Sequence, residues 1–287
     1  MKTCEINIRD PFVLLHDGRY YLYGTRGATC WGEADGFDVY HGTDLENWEG
    51  PVECFHNDGS FWADRNYWAP EVHLYRGRFC MLASFKKEGM CRGTATLVSD
   101  SPLGPFEPLS RGPVTPGDWE CLDGTLYVSR EGRPYMVFCH EWVQVGDGTV
   151  CAMPLSADLS RPDGDPFVLF RGSDGGWART VHHSSGVEGY VTDGPFLYRT
   201  KGGALLCLWA GFSRDGYTEG VAVSSTGEID GTFTQEEPLF RKDGGHGMVF
   251  RTMQGQVMLT LHTPNEHLKE RPAFYPLEDV GDRLRKA

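Results

Sequence analysis

The 287-residue chain has no Cys-x-x-Cys pair and no Cys/His grouping at zinc spacing, although it holds nine cysteines. A zinc module is therefore excluded. The odd count, with Cys80, Cys139 and Cys207 inside apolar runs, suits thiols packed as small hydrophobes in a reducing compartment better than a disulfide framework. No apolar run is long enough to cross a bilayer as a helix, and Met1-Lys2-Thr3-Cys4-Glu5-Ile6 has no hydrophobic signal region. The expectation is a soluble, cytoplasmic protein, although a signal already removed would leave no trace. Cations are few: 27 Lys and Arg stand against 40 Asp and Glu, for a net charge of -13, which disfavours nucleic acid and anionic membranes as partners. No serine- or proline-rich linker divides the chain, so 1–287 reads as one domain. Helix should be scarce, because no segment sustains a capped 3.6-residue period.

What the chain does have is a unit that occurs five times. The copies open near Arg9-Asp10-Pro11-Phe12, Trp68-Ala69-Pro70-Glu71, Leu122-Asp123-Gly124-Thr125, Thr192-Asp193-Gly194-Pro195 and Gly245-His246-Gly247-Met248. Each runs through an apolar segment, a polar or glycine turn, and a second segment rich in aromatic and aliphatic residues. Phe12-Val13-Leu14-Leu15, His16-Asp17-Gly18-Arg19 and Tyr20-Tyr21-Leu22-Tyr23 form the clearest copy. Downstream, Asp44–Trp48, Ser101–Phe106 and Ile229–Phe233 read as turns between a third strand and an outer edge strand, with prolines nearby where edges tolerate them. Strand-turn-strand units repeated at roughly 40–70 residues predict an all-β, five-bladed β-propeller, with blades opening near 10, 69, 123, 193 and 246. The repeats run to about residue 264, and 265–287 is expected to add a last outer strand and a tail.

Innermost propeller strands line one channel, so aspartates at equivalent openings would converge there. Asp10, Asp123 and Asp193 are read as such a set. One aspartate before Pro or Gly is most often a turn former, and recurrence at three openings is what lifts these above that reading. Clustered carboxylates push one another's pKa values apart. Glycoside hydrolysis needs that separation: one carboxylate activates water while a protonated partner about 6.5–9.5 Å away donates to the leaving oxygen.

The openings, in order and including Tyr67-Trp68-Ala69-Pro70-Glu71-Val72, Thr192-Asp193-Gly194-Pro195-Phe196-Leu197-Tyr198 and Gly245-His246-Gly247, resemble glycoside hydrolase family 43 over nearly the whole chain. The resemblance implies a five-bladed propeller that cleaves α-L-arabinofuranosyl or β-D-xylosyl linkages with inversion. An arabinose- or xylose-containing oligosaccharide would be the substrate, and no cofactor would be required. Asp10 falls at the general base and Asp123 at the aspartate that tunes the acid. The acid in the fourth opening is usually glutamate, and here it is Asp193, one methylene shorter. Either Asp193 is the acid, or Glu188 in Val187-Glu188-Gly189-Tyr190 supplies it, or hydrolysis has been lost. His246 falls where relatives have a histidine facing a channel ion or water, often calcium; calcium would need oxygen ligands, and a structural histidine is an equal reading.

Further candidates for substrate contact are Glu71, Trp68, Trp31 and Glu141. A period of two would keep Glu71 on the channel face, where it binds hydroxyls or pairs with an arginine. Trp68 stacks on a sugar or fills a gap between blades. Trp31 lies in a glycine-rich loop near the expected channel mouth, and Glu141 in His140-Glu141-Trp142 ends a strand of the third blade. His182-His183, without metal spacing, and Asp17, Asp147 and Asp174 read as loop residues. Two rivals remain. A retaining fructosidase-like hydrolase is suggested by Trp119-Glu120-Cys121-Leu122-Asp123 and Arg9-Asp10-Pro11, but the Asn-Asp-Pro nucleophile segment is missing. A carbohydrate-binding propeller without turnover would explain the shorter Asp193.

Overall fold

The chain is described by a computed structural model covering all 287 residues. Five four-stranded antiparallel sheets follow one another along the sequence, each built from consecutive strands. The first holds β1 (Ile8–His16), β2 (Arg19–Arg26), β3 (Gly36–Gly42) and β4 (Glu49–His56), and the second β5 (Arg65–Tyr75), β6 (Arg78–Lys86), β7 (Gly93–Ser99) and β8 (Glu107–Pro108). The third holds β9 (Cys121–Val128), β10 (Pro134–His140), β11 (Thr149–Pro154) and β12 (Phe167–Arg171). A small hairpin, β13 (Val181–His182) and β14 (Glu188–Gly189), precedes the fourth: β15 (Asp193–Arg199), β16 (Leu205–Ser213), β17 (Gly216–Ser224) and β18 (Phe233–Gln235). The fifth is β19 (Gly245–Arg251), β20 (Val257–Thr263), β21 (Arg271–Asp279) and β22 (Leu284–Lys286). Residues 265–287 thus supply two blade strands, one more than expected.

The innermost strands close a ring, in which β1 touches β5 and β19, β9 touches β5 and β15, and β15 touches β19. This is a five-bladed β-propeller. Its apolar cores lie between neighbouring blades, as where Leu82 and Val98 meet Met136 and Phe138, or Leu206 and Leu208 meet Leu259 and Leu261. The central strands of a blade are therefore buried on both faces. That is why Phe79–Phe85 reads as a nearly unbroken apolar run instead of an alternating one. Helix is confined to α1 (Trp142–Val145) and two short 3-10 turns.

Every inner strand is bulged at its opening, between Arg9 and Phe12, Trp68 and Glu71, Leu122 and Thr125, Asp193 and Phe196, and Gly245 and Met248. Asp10, Ala69, Asp123, Gly194 and His246 there take φ of 52°, 48°, 58°, 51° and 53°. This corrects the repeat alignment: the equivalent of Asp10 and Asp123 in the fourth blade is Gly194, and Asp193 precedes it by one residue. Asp193 matches Arg9 and Trp68 in register. The bulge therefore aims it differently from the other two aspartates.

Candidate active site

The openings meet at one end of the channel in a cavity of about 640 Å³. Its lining includes Asp10, Asp123, Asp193 and His246, ringed by Arg9, Trp31, Trp68, Arg92, Glu141 and Tyr217. Three aspartates from three blades share one cavity because the left-handed residue at each opening turns the strand end toward the axis.

Asp10 is buried and its Oδ2 accepts a hydrogen bond from Thr25 Oγ1 at 2.6 Å. Its backbone N–H donates to His262 Nδ1 at 3.1 Å, and His262 Nε2 stands 3.2 Å from Asn265 Oδ1. Asn265 Oδ1 also accepts from Arg9 Nη2 at 2.9 Å. An Nδ1 that accepts leaves the proton on Nε2, so His262 is neutral despite lying 3.5 Å from Asp10 Oδ1. Burial and the Arg9 charge push it down to about 3, in agreement. Burial would raise Asp10, but the His246 and Arg9 charges outweigh it and hold the carboxyl below its ordinary value.

His246 Nδ1 stands 3.2 Å from Asp10 Oδ1 and 3.6 Å from Asp123 Oδ2. Burial opposes its charge, yet the carboxylates of Asp10, Asp123 and Asp193 prevail and raise it to about 8. Asp123 accepts from the Gly194 N–H at 3.0 Å, while burial and then the Asp10 charge raise it to about 6. Asp193 is partly exposed to the cavity, and its Oδ2 accepts from Tyr217 Oη at 2.9 Å. Burial and the Asp123 charge raise it to about 7. At neutral pH the cavity thus holds one firmly ionised carboxylate and one poised to carry a proton.

The other expected residues sort clearly. Glu188 is exposed on the β13–β14 hairpin, outside the cavity lining, with Thr180 Oγ1 donating to it at 2.7 Å. It is corrected as a candidate acid. Glu71 is also outside the lining: its Oε2 accepts from Thr125 Oγ1 at 2.5 Å and faces His73 at 3.1 Å. The bulge between Trp68 and Glu71 breaks the period of two that would have kept it on the channel face. Trp68 lines the cavity but carries the Arg92 guanidinium 3.5 Å from its ring centroid and meets Trp31 edge-on at 5.4 Å. Trp31 is 57% exposed, with the Arg9 guanidinium 5.2 Å from its ring centroid. Glu141 lines the cavity just before α1. Glu120, the residue behind the fructosidase-like reading, is outside the lining and bound to Lys86 Nζ at 2.5 Å and the Arg92 N–H at 2.7 Å.

No three His, Cys, Asp or Glu side chains gather as metal ligands, and His246 Nδ1 faces two carboxylates as an ion-pair partner. These protein atoms do not fit a calcium cage. Sequence reasoning missed Arg92, Tyr217, His262 and Asn265, and left His182 and His183, which line the cavity, as loop residues. These lie on second or third strands and loops outside the recurring openings; the openings were the signal followed.

Residues 3–278 match the profile of glycosyl hydrolases family 43. The chain belongs to this family. A solved structure described as endo-arabinase from Bacteroides thetaiotaomicron VPI-5482 is 39% identical, with a TM-score of 0.91 over 97% of this chain and 96% of that one. An extracellular endo-alpha-(1->5)-L-arabinanase 1 from Bacillus subtilis (strain 168) is 26% identical over 145 residues, covering 47% of this chain and 44% of that protein. An extracellular exo-alpha-(1->5)-L-arabinofuranosidase ArbA from Cellvibrio japonicus (strain Ueda107) is 22% identical over 174 residues, covering 55% and 46%. The matched stretch spans less than half of each of these two curated relatives.

Proposed function

We propose that this glycosyl hydrolase cleaves α-L-arabinofuranosyl linkages of arabinan-type chains with inversion. The observation that carries the reading is the split between Asp10, held ionised, and Asp193, raised to about 7, in one cavity. Likeness to the Bacteroides endo-arabinase over nearly both full lengths supports arabinose over xylose. Asp10 takes a proton from the water that attacks the anomeric carbon. Asp193 gives its proton to the glycosidic oxygen as that bond breaks. Asp123 sits beside both and, when ionised, keeps Asp193 from losing its proton early. His246 steadies the negative charge of Asp10 and Asp123, and Tyr217 holds one oxygen of Asp193 so that Oδ1 carries the proton.

The test is hydrolysis of linear α-1,5-arabino-oligosaccharides and β-1,4-xylo-oligosaccharides, with Asp10→Asn and Asp193→Asn as controls. Arabinose release should fall about 10²–10⁴-fold in each variant. Xylose release alone would move the substrate to the xylan side. Silence on both from folded protein would sink the catalytic reading in favour of a binding propeller.

A further inference from the structure

Arg92 is 7% exposed, in the loop between β6 and β7, and borders the cavity. Its Nε and Nη1 are buried without a hydrogen-bond partner. Glu141 Oε2 stands 3.8 Å from Nε, too far for a hydrogen bond. A buried guanidinium left in this state is costly and calls for a polar partner. The guanidinium is not free to swing away. Trp68 lies under it at 3.5 Å, and its own backbone N–H is tied to Glu120. It is a preorganised donor held beside the carboxylates.

We propose that Arg92 and Glu141 together read one hydroxyl of the sugar held over Asp123, a specificity contact that rests on the arabinofuranosyl reading above. A hydroxyl can accept from a guanidinium and donate to a carboxylate at once, which matches this unlinked pair. A carboxylate-bearing sugar is the poorer ligand. Glu120, Glu141 and Asp123 already outnumber Lys86 and Arg92 here, so a further anion would meet net negative charge. Burial lowers the Arg92 pKa, and Glu141 is raised by burial, so each gains from a shared polar partner. Trp68 offers Arg92 one face. Its role is to hold the donor.

The experiment compares wild type and Arg92→Lys on an aryl α-L-arabinofuranoside and on its 2-, 3- and 5-deoxy analogues. Arg92→Lys should melt near wild type and raise KM about 10-fold, as expected for a lost hydrogen bond to a charged group, with kcat changed far less. On the one analogue lacking the read hydroxyl, that penalty should vanish, because both changes remove the same contact. An equal penalty on all four substrates, or none, overturns the proposal and leaves Arg92 as packing or as a water-bridged ion. If Arg92→Lys fails to fold, Glu141→Gln is read against the same four substrates by the same criteria. Wild type silent on every aryl arabinofuranoside overturns this proposal, and silence on α-1,5-arabino-oligosaccharides as well removes the functional reading with it. A wild type that is active, with a flat response in folded variants, removes only the proposal.

Discussion

Asp193, proposed above as the acid, carries a short aspartate side chain, so its aim depends on what holds it. Tyr217 does so from β17, itself packed flat against His262 with ring centroids 5.5 Å apart. The acid works only while protonated. With Asp193 raised to about 7, kcat/KM should fall as pH rises through that value. Asp10 lies below its ordinary value, so the acid limb should fall below about 3.9. Asp123 and Asp193 interact, and the alkaline limb is a property of the pair. Tyr217→Phe removes a hydrogen bond that favours the ionised form. Asp193 then holds its proton more tightly, and the alkaline limb should move up by about one unit, with lower kcat from poorer aim. A pH–rate profile whose alkaline limb stays put or moves down would show that Tyr217 does not govern the acid.

Each blade opening is a bulged strand end with one left-handed residue. In the first three openings its N–H is taken by the second strand of the preceding blade, whereas in the fifth Gly247, next to His246, donates to Glu219 of β17 at 3.0 Å. His262 receives Asp10, Thr25 receives Ala69, and Ser84 receives Asp123, at 3.1, 2.8 and 2.7 Å. The fourth opening differs, since Gly194 donates to the Asp123 carboxylate instead. Gly194 has a second constraint: a Cβ there would lie 2.5 Å from His246 Cδ2. Gly194→Ala should therefore displace His246, cost about 1 kcal/mol or more, and lower kcat by about 10-fold or more. Ala69→Gly, in the same conformation without that contact, should be neutral or better. Melting curves and arabino-oligosaccharide kinetics on the two variants decide it, and equal effects would contradict the account.

The five openings were legible in the sequence because each carries an Asp, Gly or Pro at or beside its left-handed residue, as in Asp10-Pro11, Ala69-Pro70, Asp123-Gly124, Gly194-Pro195 and His246-Gly247. The shift of Asp193 was not, because matching aspartates hid what Pro11, Pro70 and Pro195 show, that Gly194 holds the aligned position. Glu71 was misplaced for a related reason, since a bulge cancels strand alternation without a mark of its own. Arg92 and Tyr217 reach the cavity from a loop and a third strand, where no repeat announces them.

At the scale of the whole ring, blade 1 starts at the first strand and blade 5 ends at the last, with no strand exchanged between them. Side chains close the circle. Arg9 pairs with Glu270 at 2.7 Å, Asn7 Nδ2 donates to the Glu270 carbonyl at 3.0 Å, and Arg271 Nε donates to the Cys4 carbonyl at 2.9 Å. Phe250 and Met258 of blade 5 share the core of blade 1. Glu270→Ala would strip Arg9 of its ion-pair partner, leaving it Asn265 and the Asp10 charge, and should cost about 3 kcal/mol in denaturant unfolding, with Glu270→Gln costing less. A loss no larger than that of a surface variant would mean the closure lies in the apolar core alone.

The most direct measurement follows the anomeric proton by NMR while the wild-type protein hydrolyses α-1,5-arabinotriose. A water activated by Asp10 and a leaving group protonated by Asp193 should release the new reducing end first as the β-anomer, which then mutarotates. First appearance of the α-anomer, or no cleavage by folded protein, would contradict the account.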